Sequence, residues 1–198
     1  MSLAAETETV FVEFDAGHAR VVLYAGGTTG LVLLAPTVAG RAFCASLGEL
    51  AEASGLSALA FADEIPGDRV VALSRASRLL ERLGVQHVMV VALGGDAVIA
   101  LRAAAGGGFE AATLIDPVVA HEDVEPLLAE VAAPKLVLVR SNDAESQTTA
   151  EAINRHAVGP LIVRHLSGDD LFAGETAAMV AEATLAFAVG ACGDGRAG

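Results

Sequence analysis

Apolar residues along this chain fall into short runs separated by turn residues, and the runs alternate between strand-like and helix-like periods. Residues 7–14 (TETVFVEF) alternate in part, with Val10 and Val12 on one face, and predict a strand. Residues 18–25 (HARVVLYA) predict a second, and the link Asp15-Ala16-Gly17 suits a hairpin. GGTTG at 26–30 is a turn, and 31–34 is a continuous apolar run, as a buried strand requires. The loop 35–40 leads into an amphipathic helix at 41–54, which Gly55 ends. A strand follows at 57–62, then a loop at 63–67. The helix predicted at 68–83 has Val71, Ser74, Leu79 and Leu80 inward and Arg69, Arg75, Arg78 and Glu81 outward.

The second half repeats the alternation. The β-branched run 88–93 predicts a strand buried on both faces. Gly94 and Gly95 break it, and a helical pattern resumes through Ala97, Ala100, Leu101 and Ala104 to the glycines at 106–108. Strands are expected at 112–115 (stopped by Asp116-Pro117), 135–139 and 161–166, and helices at 124–131, 144–157 and 175–189. Residues 190–198 read as a glycine-rich tail to a single domain at 1–189. Regular alternation after a hairpin forces a mostly parallel sheet, here of eight strands, with helices on both faces: a three-layer α/β sandwich.

The stretch at 83–101 (LGVQHVMVVALGGDAVIAL) stands out. A strand that turns into a helix at a glycine pair presents backbone N–H groups where α/β proteins bind anions or place chemistry. The stretch resembles the nucleophile elbow of the α/β-hydrolases: a strand, G-x-S-x-G, then a helix. Laid on without gaps, Ala92-Leu93-Gly94-Gly95-Asp96 fills the five positions, and Gly94 stands where the serine belongs. The resemblance covers nearly the whole chain and implies a small, lidless member, because 115–135 is too short for a cap.

It also implies where the partners should be. AAPKLVLVRSND resembles the segment that delivers the acid, which places it at Asp143. LSGDDLFAGE resembles a G-x-D-H-F stretch in which Gly168, Asp170 and Phe172 keep their places and Leu171 replaces the histidine. Of the triad-equivalent positions Gly94, Asp143 and Leu171, two therefore lack any group that moves a proton or attacks a carbonyl. The oxyanion hole is built from backbone, and its implied positions are Gly95 and Thr37, with Ala35-Pro36 where a His-Gly pair is common.

Each candidate has a plainer reading. Asp143 suits a helix N-cap, and Asp96 an acid beside a helix N-terminus. His165 reads as an ordinary strand residue, Cys44 and Ser46 as helix positions, and Cys192 as part of the tail. His121 with Glu122 and Asp123 has no ligand geometry to recommend it, and His18, His87 and His156 have no partner pattern, so neither metal nor cofactor is expected. A dinucleotide fingerprint would need G-x-G-x-x-G after the first strand, and no G-K-[ST] exists for a P-loop.

Charge narrows the partners. A net charge of −13 argues against nucleic acid and anionic membranes. The first ten residues lack a signal peptide's basic region, and no apolar run approaches the ~20 residues that span a bilayer. Two cysteines far apart fit a reduced, cytoplasmic protein. The expectation is a non-catalytic α/β-hydrolase-like protein that binds a small carbonyl compound or anion, or serves in assembly, with a homodimer among the arrangements it allows. The alternatives are an active hydrolase with a non-standard site and, third, a nucleotide-binding Rossmann-like module.

Overall fold

The computed structural model describes residues 8–14, 17–118 and 120–193. Eight strands form one sheet in the order β1-β2-β4-β3-β5-β6-β7-β8. They are β1 (Glu8–Phe14), β2 (Gly17–Tyr24), β3 (Thr29–Leu34), β4 (Ser57–Phe61), β5 (His87–Leu93), β6 (Ala111–Ile115), β7 (Lys135–Arg140) and β8 (Leu161–Leu166). β2 runs antiparallel to both β1 and β4, and every other pairing is parallel. That order differs from the 3-2-1-4-5-6 of a dinucleotide-binding fold. The turn residues Asp15 and Ala16, and the stretch 1–7 on which the leader reading rests, lie outside the described residues.

Burial follows from position in the sheet. β4 and β6 are buried at every residue, and β3, β5 and β7 at all but one, so continuous apolar runs are what they must carry. The six helices are α1 (Val38–Ala53), α2 (Arg69–Arg82), α3 (Ala97–Ala105), α4 (His121–Glu130), α5 (Ala144–His156) and α6 (Gly174–Gly193). Leu73 of α2, Leu101 of α3, Leu128 of α4 and Ile153 of α5 share the core on one face of the sheet. Phe43 and Leu47 of α1 and Val180 and Ala188 of α6 share the core on the other.

Several boundaries move for identifiable reasons. α1 begins at Val38 rather than 41, because the Thr37 hydroxyl caps it by accepting from Gly40 N at 3.0 Å. α4 begins at His121 rather than 124. In α2, Val71 is exposed, and Ala72, Leu73, Ala76, Ser77 and Leu80 make the inward stripe instead. The expected tail at 190–198 is corrected in part: α6 continues through Gly190 to Gly193, and 194–198 lie outside the described residues. α6 also corrects the membrane argument, since Gly174–Cys192 is long and apolar enough to cross one by length and composition. A third of that stretch is buried, and its Thr184 is fully buried, as in a helix that packs on a sheet.

One feature lies at the end of the sheet away from the elbow. Lys135 opens β7 with its side chain fully buried. Its ammonium donates to the carbonyls of Val131 (2.5 Å), Ala133 (2.8 Å) and Val158 (2.7 Å), tying the loop after α4 to the loop after α5. The two loops touch so closely that Gly159, at φ +79°, has no room for a Cβ beside the Ala132 carbonyl.

Candidate functional site

The C-terminal ends of the parallel strands converge on the turn after β5. Gly94–Asp96 forms a single 3₁₀ turn that feeds α3, and Gly94 takes φ +57°. That left-handed conformation is what a sharp strand-to-helix elbow imposes, and glycine adopts it without a Cβ penalty. A Cβ built there would meet nothing nearer than Pro36 Cγ at 3.8 Å, so the tip is open and holds only hydrogen. A Cβ on Gly95 would meet the Val118 carbonyl at 3.8 Å. The elbow thus lies between the loop after β3 and the loop after β6, the two strands that flank β5.

Donors at the elbow come from the backbone. The first N–H groups of a helix have no intrahelical carbonyl to bond, and Gly95 is in that first turn. Thr37, which follows the Ala35-Pro36 loop, spends its hydroxyl on capping α1. α1 starts just after the loop whose Pro36 ring lies nearest the elbow tip, and α3 starts at the elbow itself, and each helix start carries the positive end of its dipole.

Asp143 follows β7 and does cap a helix, accepting from Ser146 N at 2.9 Å. Its other oxygen receives Arg140 Nη2 at 2.7 Å. Arg140 also donates from Nε to Asp116 at 2.9 Å, and Ser146 Oγ donates to Asp116 at 2.5 Å. The Ser146 amide, with Arg140 beside it, holds the Asp143 carboxyl below the usual carboxylate range. Asp116 is itself left-handed at φ +47°, a conformation that aspartate tolerates better than most residues. The loops after β7 and β8 meet through Ser141 N to Leu166 O (2.9 Å) and Asn142 to Asp169 (2.5 Å). At the position matched to the histidine, Leu171 is buried in the α1–α6 core beside Phe172, whose ring packs on Phe43 with centroids 5.5 Å apart.

None of the four histidines with described side chains sits at the elbow. His87 opens β5, at the opposite end from Gly94, and pairs with Glu110 at 2.9 Å. His156 ends α5 and pairs with Glu125 at 3.2 Å. His165 is exposed on β8, against Gln147 and Glu151 of α5, and His18 is exposed near the first hairpin. The side chains of His121, Glu122 and Asp123 lie outside the described residues. Among the described residues, no three His, Cys, Asp or Glu side chains could share a metal ion. Ser46 is exposed on α1, and Cys192 lies in α6 rather than in a tail. Cys44 is buried in α1, where burial, helped by the charge of Asp96, pushes its thiol up to about 12 and leaves no thiolate at neutral pH.

The sequence placed Asp96 beside a helix N-terminus but gave no sign of its partner. Asp96 is almost wholly buried and does not cap α3; its carboxylate takes Arg69 Nη2 at 2.5 Å instead. Arg69, expected to face outward, thus turns in from the start of α2. Burial pushes the Asp96 carboxyl above its ordinary value, and Arg69 and then Arg41 pull it back. A carboxylate at the fifth motif position, where the family has glycine, was the available signal that a cation had to come from elsewhere.

No protein-family model matches the sequence, and no curated protein matches it. Solved structures do. A dienelactone hydrolase from Anabaena variabilis superposes with a TM-score of 0.78 at 17% identity, over 92% of this chain and 96% of that one. Est1E from Butyrivibrio proteoclasticus gives 0.77 at 10% identity, over 94% and 99%. An alpha-beta serine hydrolase homologue from Coxiella burnetii gives 0.75 at 14%, over 93% and 99%. The chain has the α/β-hydrolase fold. In this fold Gly94 lies in the turn after β5, Asp143 follows β7 and Leu171 follows β8.

Proposed function

We propose that this chain binds a small carbonyl compound or anion at the elbow and does not hydrolyse it. The observation that carries the reading is the tip itself: Gly94 keeps the left-handed turn and offers no attacking atom. Leu171, buried in the core, cannot act as a base in its place. What remains is the part of the machinery made of main chain, the N–H groups at the starts of α1 and α3. Such donors stabilise a carbonyl oxygen or an anion whether or not a reaction follows. Cys44 and Cys192 are both free, which supports a reducing compartment for the protein.

The test is direct. A short panel of p-nitrophenyl esters should show no turnover above the rate in buffer, and a fluorophosphonate probe should label no residue. Stoichiometric labelling of any one side chain would overturn the reading and make the protein an active hydrolase with a non-standard nucleophile.

A further inference from the structure

A cavity lies beside the elbow, on the far side of Pro36. About 150 Å³ of space opens at the C-terminal ends of β3 and β4, lined by Pro36, Arg41, Phe61, Glu64, Ile65 and Arg69. One water needs about 10–15 Å³ of such space, so there is room for a small organic molecule. Pro36 is the shared wall, since its ring is also the nearest atom to the elbow tip.

The chemistry of the walls is specific. Arg69 holds Asp96 through Nη2, and its side chain, about a third exposed, lines the cavity. Arg41 lines the same cavity, its guanidinium donating to the Pro36 carbonyl at 3.4 Å, a long contact. Two acids line the cavity as well, Glu64 and Asp63, the latter paired with Arg20 at 3.0 Å, and Asp96 is committed to Arg69. Glu64 is exposed. Phe61 and Ile65 are buried and give the cavity an apolar side.

We propose that this cleft is a carboxylate subsite, in which Arg69 and Arg41 hold the acid group of a small organic carboxylate beside the elbow. The inference rests on the elbow-binding reading, and it narrows the ligand to a compound carrying an acid and a carbonyl a few atoms apart. The acid pairs with guanidinium donors, which suit carboxylates better than ammonium groups do. The carbonyl faces Thr37 and Gly95.

Two probes separate the halves. Acetate carries only the acid, and N-methylacetamide only a carbonyl; each is titrated into the full chain at constant ionic strength while amide NMR shifts are followed. Acetate should move signals in 61–69 and at Arg41, and Arg41→Met should weaken it by about tenfold or more while N-methylacetamide binding stays unchanged. Arg69→Met is made together with Asp96→Leu, so that no buried charge is left alone; this variant should also lose acetate. If acetate moves no more signals than chloride does, or if both variants bind it as the parent does, the cleft is not a carboxylate subsite. If acetate behaves as expected and N-methylacetamide leaves Gly94 and Gly95 unmoved, the subsite stands and the elbow reading falls.

Discussion

Replacing Lys135 with methionine tests whether the fold depends on an ammonium sealed inside it. The side chains are of similar length, so Lys135→Met removes charge and donors without opening a large cavity. Three bonds are lost, to Val131, Ala133 and Val158. Hydrogen bonds to charged groups are worth about 1.5–3 kcal/mol each, which gives a gross loss of about 4.5–9 kcal/mol. Against this, burying an ammonium costs several kcal/mol, a penalty that also pushes the Lys135 pKa down. Methionine escapes it. The two partner carbonyls in part-buried contacts, Ala133 and Val158, can recover water; the one at Val131 cannot, and stays orphaned. We expect a net loss of about 2–3 kcal/mol, since an unpaired buried carbonyl alone costs about 1–3 kcal/mol. With a urea m-value of about 2 kcal/mol/M, the midpoint of unfolding should fall by about 1–1.5 M with unchanged slope. A midpoint equal to or above the parent's would mean that the cost of burying the charge exceeds the worth of its bonds, and the reasoning would fail.

Other outcomes follow from the site and the core. Gly94→Ser should fold, since space is open at the tip, but lose about 1–2 kcal/mol to the left-handed backbone, read by thermal unfolding. It should gain no p-nitrophenyl acetate turnover; clear activity would mean that a base lies within reach of the elbow. The Asp143 carboxyl titrates below its unfolded value, so its contribution is complete above the unfolded pKa and is lost as pH falls through the folded one. Acid unfolding curves of the parent and of Asp143→Asn should therefore converge at low pH; a gap that widens on acidification would contradict the assignment. Gly48→Ala would put a Cβ 2.3 Å from the Tyr24 ring, and should cost about 1–3 kcal/mol by urea unfolding.

How much of this was legible beforehand depends on whether a signal was local. The β5 run and the glycine pair after it are contiguous, and they located the elbow to the residue. The N-cap role of Asp143 was equally local. Arg69 was not: its partner is 27 positions away, and helical periodicity sent it outward because periodicity knows nothing of what lies beyond a helix's first turn. Lys135 defied the rule that lysines are exposed, because the carbonyls that accept its protons come from two loops that meet only in the folded chain. α6 overran its expected end because Gly190 was read as a breaker.

The grip of Arg140 bears on any attempt to engineer esterase activity into this scaffold. Supplying serine at the tip and an imidazole in place of Leu171 would still leave Asp143, the acid that the sequence resemblance implies, occupied at one oxygen by the Ser146 amide and at the other by a guanidinium. Any imidazole brought to Asp143 would have to compete with a full positive charge for the same carboxylate. Loosening that clasp, by shortening Arg140 before anything else is changed, is therefore the first step of such a redesign rather than the last.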